Sequence, residues 1–381
     1  MASDPRERAE QRTLLLAPGE APRELPTGQR VQEFVLEQVL AVGDYSIVYR
    51  AQDTRLERRV AIKEHMPVTL ARRSAEQQVQ PRLPRFAELY ERGLKSFITE
   101  ARLLGSFDHP ALVKVHRFWA DNGTAYLAMP YYEGITLEEW LHQQHAPPSE
   151  RWLRHLAGML IDALAVMHEQ RCFHRNVAPD NVLMLHSSLD GRPAALPNPR
   201  PVLLDFGAAR RLIGDATQNI TAVVRSGYSP VEQYEGQAGL RQGAWTDVYA
   251  LCALLYKSAF GQAPPPSTAR LSRDEMLAAR WAGQGRYDDV FLAAIDAGLA
   301  VHPRDRPRDL AALRALLQAS EAPPMPPAPT GAALKARLPI AAVDIGLEAP
   351  LARSRPRWLL PAAFVAAALL IALLAAAALR R

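Results

Sequence analysis

Cysteine is nearly absent from the chain, with only Cys172 and Cys252 among 381 residues. Neither belongs to a CxxC pair or stands at metal-ligand spacing from histidine, which excludes a disulfide framework and a zinc site and fits a reducing cytosolic setting. Charge of one sign is also scarce. Lys and Arg number 45 against 40 Asp and Glu, and the net of +5 contains no long run of like charge, so nothing marks a nucleic-acid partner. No repeat of solenoid period is present. The first thirty residues lack the continuous apolar stretch of a signal peptide. What remains is 48% hydrophobic and 22% charged. That mix suits a globular core, and the length suits either one bilobal domain with tails or two or three separate units.

The chain divides by composition. Residues 1–30 mix Pro, Gly, Arg and Glu and are read as a flexible lead-in. Residues 31–318 carry the pattern of a folded domain. Short apolar runs such as FVLEQVLAV, SIVYRAQD, RRVAIKEH and AYLAMPYY predict strands, and longer periodic stretches such as LRHLAGMLIDALAVMHEQ and VYALCALLYKSAF predict helices. The fold class is therefore α+β, with a small β-rich lobe followed by a larger helical one. Residues 319–357 are rich in Pro and Ala, with five prolines between Pro323 and Pro329, and read as a linker. Residues 358–379 predict a single C-terminal transmembrane helix. From Leu359 to Leu379 no residue is charged, and at about 1.5 Å per residue the run spans one hydrocarbon core of roughly 30 Å. Arg353, Arg355 and Arg357 precede it and place the folded domain on the cytoplasmic side, with residues 380–381 as a basic terminus. Small residues such as Ala363 and Ala367 allow two such helices to approach as a homodimer.

Within the folded region, several strings occur in a fixed order. Gly43 lies in Leu40-Ala-Val-Gly-Asp-Tyr-Ser-Ile-Val-Tyr49, a turn between two strands where glycine lets backbone N–H groups approach an anion. Lys63 ends the apolar run Val60-Ala-Ile-Lys63, where an ammonium is costly to bury without an acidic partner. Then follow Glu100 in SFITEARLLGSF, the strings HPALVKV and NGTAYL, His174-Arg-Asn-Val-Ala-Pro-Asp-Asn181, Val202-Leu-Leu-Asp205-Phe-Gly-Ala-Ala-Arg, GYSPVEQY, WTDVYAL and HPRDRPRDL. In these strings the chain resembles the protein-kinase family, and more narrowly the bacterial membrane-anchored Ser/Thr kinases, over about three quarters of its length. Such kinases sit in the bacterial inner membrane, single-pass, with the kinase domain in the cytoplasm.

The resemblance implies a bilobal kinase fold that binds ATP and Mg²⁺ and acts on a protein substrate or signalling partner. Lys63 would hold the α- and β-phosphates and pair with Glu100. Gly43 and Val48 would lie over the phosphates and base, although Ala41 and Ser46 replace two glycines of the family's G-x-G-x-x-G-x-V turn. Ala61 above and Leu183 below would sandwich the adenine. Met129 would be the gatekeeper, with the C=O of Pro130 and the N–H of Tyr132 facing the base. Asn181 and Asp205 would ligate the metal. Thr217, Thr221, Ser226 and Ser229 are phosphorylation candidates, with Arg175 as a partner for the phosphate. Glu232 with Arg306 would form a buried pair, and Asp247 would brace the catalytic loop.

One departure matters most. Asn176 stands where the family's catalytic loop carries its aspartate, and Ala178 where many members have lysine. An amide can orient a substrate hydroxyl but is far too weakly basic to take its proton. Two readings stay open: a pseudokinase-like, catalytically impaired signalling protein that still binds Mg·ATP, or an active Ser/Thr kinase in which solvent or Asp180 serves as base.

Overall fold

The computed structural model describes residues 22–185, 200–204, 210–211, 225–234 and 240–319. Residues Pro339–Arg381 form a second unit, and it lies outside the described residues, together with 320–338. The expected membrane helix and all but the first residue of the expected linker fall there, and Asp205 also lies outside the described residues. Among the described residues, no helix is long and apolar enough to cross a membrane.

The small lobe is built on an antiparallel sheet of β1 (Arg30–Val31), β2 (Phe34–Val42), β3 (Ser46–Asp53), β4 (Arg58–His65), β7 (Arg117–Asp121) and β8 (Thr124–Pro130), in the order β1-β2-β3-β4-β8-β7. Alternation drives it. In β3 the residues Ile47, Tyr49 and Ala51 point inward between half-exposed neighbours. The β7–β8 turn is Asn122-Gly123, both with positive φ of 52° and 72°, and a Cβ on Gly123 would meet the Val79 carbonyl oxygen at 2.3 Å. Val79 belongs to a short hairpin, β5 (Ala71–Arg73) and β6 (Val79–Pro81), inserted between β4 and the helix α1 (Ala87–Leu104). The sequence reading did not anticipate this hairpin, whose three-residue strands are too short to show a period.

Arg73 explains why the hairpin folds inward. Its side chain is fully buried and ion-pairs at 2.7 Å with Glu64, itself fully buried. Tyr49 Oη and Tyr126 Oη donate to the same carboxylate at 2.8 and 3.0 Å. The N-terminal segment joins this cluster: Leu25 is 2% exposed, and its N–H donates to Tyr49 Oη. Packed structure thus begins ahead of the boundary drawn at residue 30.

The helical lobe follows β9 (Gly134–Thr136), with α2 (Leu137–Gln143), α3 (Glu150–Glu169), β10 (Cys172–Phe173), β11 (Val182–Leu185), β12 (Pro201–Leu203) and β13 (Arg210–Arg211). Thr136 and Glu139 close a capping box at the start of α2, and the Ser149 hydroxyl caps α3. Next come α4 (Ala244–Phe260), α5 (Ser267–Ser272), α6 (Ala279–Ala282), α7 (Asp289–Gly298) and α8 (Leu310–Gln318). Helix α4 is apolar on all sides and buried nearly throughout, the behaviour of a central core helix. It stops at Gly261, where φ of +77° favours glycine and the N–H closes on Lys257 O. The strands and helices named from sequence coincide with β2, β3, β4, β8, α3 and α4.

Arg73→Met strands the Glu64 carboxylate in the core and should lower unfolding free energy by about 3–5 kcal/mol. Adding Glu64→Leu to that variant should recover most of the loss in a denaturant titration. A second prediction concerns His65, buried against Tyr90 and Phe97 of α1 with ring centroids 5.7 and 5.5 Å away. Burial, and secondarily the nearby Lys63 charge, push its pKa down to about 4. Below its ordinary value near 6.5 the unfolded chain takes up a proton that the folded chain excludes. Stability therefore falls, by about 3 kcal/mol from this group, as pH drops from about 6.5 to about 4. His65→Phe should flatten that part of the stability–pH curve.

Candidate active site

The strand register sets the upper wall. Val48 lies opposite Lys63, Lys63 opposite Leu127, and Ala61 opposite Met129. Opposed residues, and residues two apart along a strand, share a face. Val48, Ala61, Lys63 and Met129 therefore line one side of the sheet, while Glu64, Tyr49 and Tyr126 lie on the other. Helix α1 covers the Lys63 side: His65, two residues beyond Lys63, lies against Tyr90 and Phe97, one turn before Glu100. Lys63 and Glu100 are both buried, 8% and 7% exposed. Below, Leu183 pairs with Thr136 and packs, with Met129 and Tyr132, against the large-lobe core. Burial pushes the Tyr132 hydroxyl pKa up.

The catalytic-loop region hangs from α4. Asp247, in its first turn, is fully buried and accepts from His174 N at 2.8 Å and Arg175 N at 2.7 Å, with His168 Nε2 2.8 Å away. Burial pushes the Asp247 carboxyl up, but the hydrogen bonds and positive neighbours outweigh it and hold the pKa below the ordinary value. Arg175 adopts φ of +63°, a backbone conformation held by this clamp and by Gln233 Nε2, which donates to Arg175 O at 2.9 Å. His174 Nδ1 accepts from Asn176 N, so Nε2 carries the hydrogen and donates to Leu204 O at 3.2 Å. Asn181 Nδ2 donates to Asn176 O at 2.8 Å, and Leu204 N donates to Asn181 O at 2.7 Å. The loop holding Asn176 and Asn181 is thus tied to the residue preceding Asp205.

Comparison with known proteins agrees with this geometry. The family described as "Protein kinase domain" matches residues 34–306. This chain belongs to the protein kinase family. A probable serine/threonine-protein kinase of Streptomyces coelicolor is 32% identical over 232 residues, 59% of this chain and 29% of that protein. PknB of Mycobacterium tuberculosis is 26% identical over 299 residues, 74% of this chain and 42% of PknB. The solved structure "PpkA-294 apo form" superposes with a TM-score of 0.66 at 38% identity, covering 78% of this chain and all of that one. The chain spans less than half the length of these curated relatives.

The rest of the kinase site follows from pairs that close on the loop. Glu232 and Arg306, both fully buried, meet at 2.7 and 3.2 Å, with Thr246 Oγ1 donating to Glu232 at 3.0 Å and the Tyr249 ring 4.8 Å from the guanidinium. The buried pair expected from sequence is present. Ser229, expected as a phosphorylation candidate, is 3% exposed, and its hydroxyl accepts from Arg225 N at 2.9 Å. Ser226 is exposed; Thr217 and Thr221 lie outside the described residues. Asp180, the substitute-base candidate, is half exposed and its carboxylate is ion-paired with Arg225. A cavity of about 460 Å³ bordered by Met276, Arg280, Val290, Asp296 and Leu316 lies among α5–α8 and shares no residue with the catalytic loop.

Asn176 itself is 5% exposed, and its Oδ1 is buried with no hydrogen-bond partner among the described residues. An unpaired buried acceptor costs about 1–3 kcal/mol, which a hydroxyl donor placed there would relieve. His168, Gln233 and Leu204 were not legible as site residues, because their contribution is a contact across 79, 58 or 30 residues of chain. Asp247→Asn removes one acceptor from a three-donor site and should cost about 2–4 kcal/mol. Amide exchange at His174 and Arg175 should rise with it.

Proposed function

We propose that this Ser/Thr protein kinase domain binds Mg·ATP, is tethered to the bacterial inner membrane through residues 358–379, and transfers phosphate weakly or not at all. The observation that carries the reading is Asn176. The loop around it keeps every backbone tie described above, yet the group at the base position is a neutral amide. Its oxygen, which has no partner among the described residues, suits acceptance of a hydrogen bond from a substrate Ser or Thr hydroxyl, which it can orient but not deprotonate. Loss of general-base help typically costs about 10²–10⁴-fold in rate.

The donor chemistry fits the cofactors. With its amide nitrogen given to Asn176 O, Asn181 has its hard carbonyl oxygen left for Mg²⁺, and Asp205 would supply a carboxylate. Bound Mg²⁺ neutralises phosphate charge during transfer. Ala61 and Leu183 would face the adenine from above and below, Met129 would lie behind it, and Pro130 C=O and Tyr132 N–H would meet its edge. Val48 and Gly43 would cover the base and phosphates, and Lys63, with Glu100, would contact the phosphates. The substrate is a protein or signalling partner, and the apolar tail offers Ala363 and Ala367 for self-association. The alternative, an active kinase with Asp180 as base, is disfavoured by the Arg225 ion pair that already occupies that carboxylate.

The test is phosphate transfer from labelled ATP by the full chain in detergent, beside Asn176→Asp and Asp205→Ala. Transfer by Asn176→Asp alone, exceeding the native protein by about 10²-fold or more, is the expected outcome. Native transfer well above the Asp205→Ala background would overturn the impaired reading.

A further inference from the structure

The turn expected to cover the nucleotide phosphates is held from outside itself. Three consecutive carbonyls accept hydrogen bonds from distant chain: Gly43 O from Arg23 Nη2 at 3.0 Å, Asp44 O from Val68 N at 2.8 Å, and Tyr45 O from Met66 N at 2.9 Å. Within the turn, Gly43 N closes on Ser46 O at 2.9 Å. Arg23 also donates from Nη2 to Met66 O at 3.3 Å, so one guanidinium bridges the turn and the segment that grips it. The backbone of Arg23 is itself anchored. Its carbonyl accepts from Arg73 Nε at 2.8 Å, and Arg73 is locked into the fully buried ion pair with Glu64. Two residues on, buried Leu25 pins the strap to Tyr49.

We propose that Arg23 is a positioning residue for nucleotide binding. The strap at residues 23–25, with Met66 and Val68, holds Gly43–Tyr45 in a preformed place, so that ATP meets an ordered turn and does not have to order it. The physical need is plain in the sequence. Ala41 and Ser46 replace two glycines whose freedom would let the turn mould itself to phosphate, and external bracing takes over the role of local flexibility. The inference rests on the Mg·ATP reading above, and it ties nucleotide affinity to a residue that sequence alone assigned to a flexible lead-in.

The experiment uses the full chain with Arg23→Ala and Arg23→Lys, reading two quantities: amide hydrogen exchange across residues 42–46 and 66–68 without nucleotide, and Mg·ATP affinity from a fluorescent ATP analogue. Arg23→Ala should speed exchange in both segments and weaken ATP binding about fivefold, the loss of one or two hydrogen bonds. Arg23→Lys, whose ammonium reaches one of the two carbonyls, should recover part of both, and the melting temperature should barely move. Unchanged exchange in Arg23→Ala overturns the brace, and faster exchange with unchanged affinity overturns its role in nucleotide binding. Should the native chain bind no ATP at all, the Mg·ATP reading fails on its own, and exchange still decides whether Arg23 braces the turn.

Discussion

The carboxylate of Asp247 carries more of this structure than any other group. It lies fully buried at the start of the central helix, and a charge in that position is tolerable only because three donors converge on it. Two of them are the backbone N–H groups of His174 and Arg175, so the condition for burying the charge is also the condition that fixes the catalytic loop. Arg175 is bent into a left-handed backbone to satisfy it. Asn176 inherits its position from that bend, and Asn181 and Leu204 inherit theirs from Asn176 and His174.

The same logic recurs in both lobes. Glu232–Arg306 in the helical lobe and Glu64–Arg73 in the small lobe are fully buried pairs, each with a hydroxyl donating to the carboxylate. Such pairs add little net stability over apolar residues of equal volume, but half of one is destructive. Their effect is to allow only one arrangement of the segments they join. Glu232–Arg306 locks the segment after residue 225 to the far end of the lobe, and Glu64–Arg73 locks the inserted hairpin and the N-terminal strap onto the back of the Lys63 strand.

Asn176 differs from the family's aspartate in chemistry, and the loop that holds it is fully tied. The amide keeps an acceptor oxygen at the base position and gives up basicity. The loop retains the Asp247 clamp, the His174–Leu204 tie and the Asn181–Asn176 bond. The loop keeps its ties, and a neutral amide stands where the family's catalytic loop carries a carboxylate.

Much of this was legible in the residues. Alternating and periodic apolar runs named the strands β2, β3, β4 and β8 and the helices α3 and α4, because burial imposes periods of 2 and 3.6 on any element with one wet face. Ordered short strings singled out Lys63, Glu100, Asn176 and Asn181 through the family resemblance, and pointed to the Glu232–Arg306 pair that the fold buries. The hairpin at 71–81, the strap at 23–25, the burial of Ser229 and the capture of Asp180 by Arg225 were not legible. Each depends on which distant group arrives beside a side chain, and a one-dimensional pattern holds no record of that. The sequence by itself determined the two-lobed class and the loss of the carboxylate at residue 176, since both are properties of residue type and local spacing. Only the tertiary structure decided which charges and hydroxyls are buried and what holds the phosphate turn, because those follow from desolvation and long-range contact.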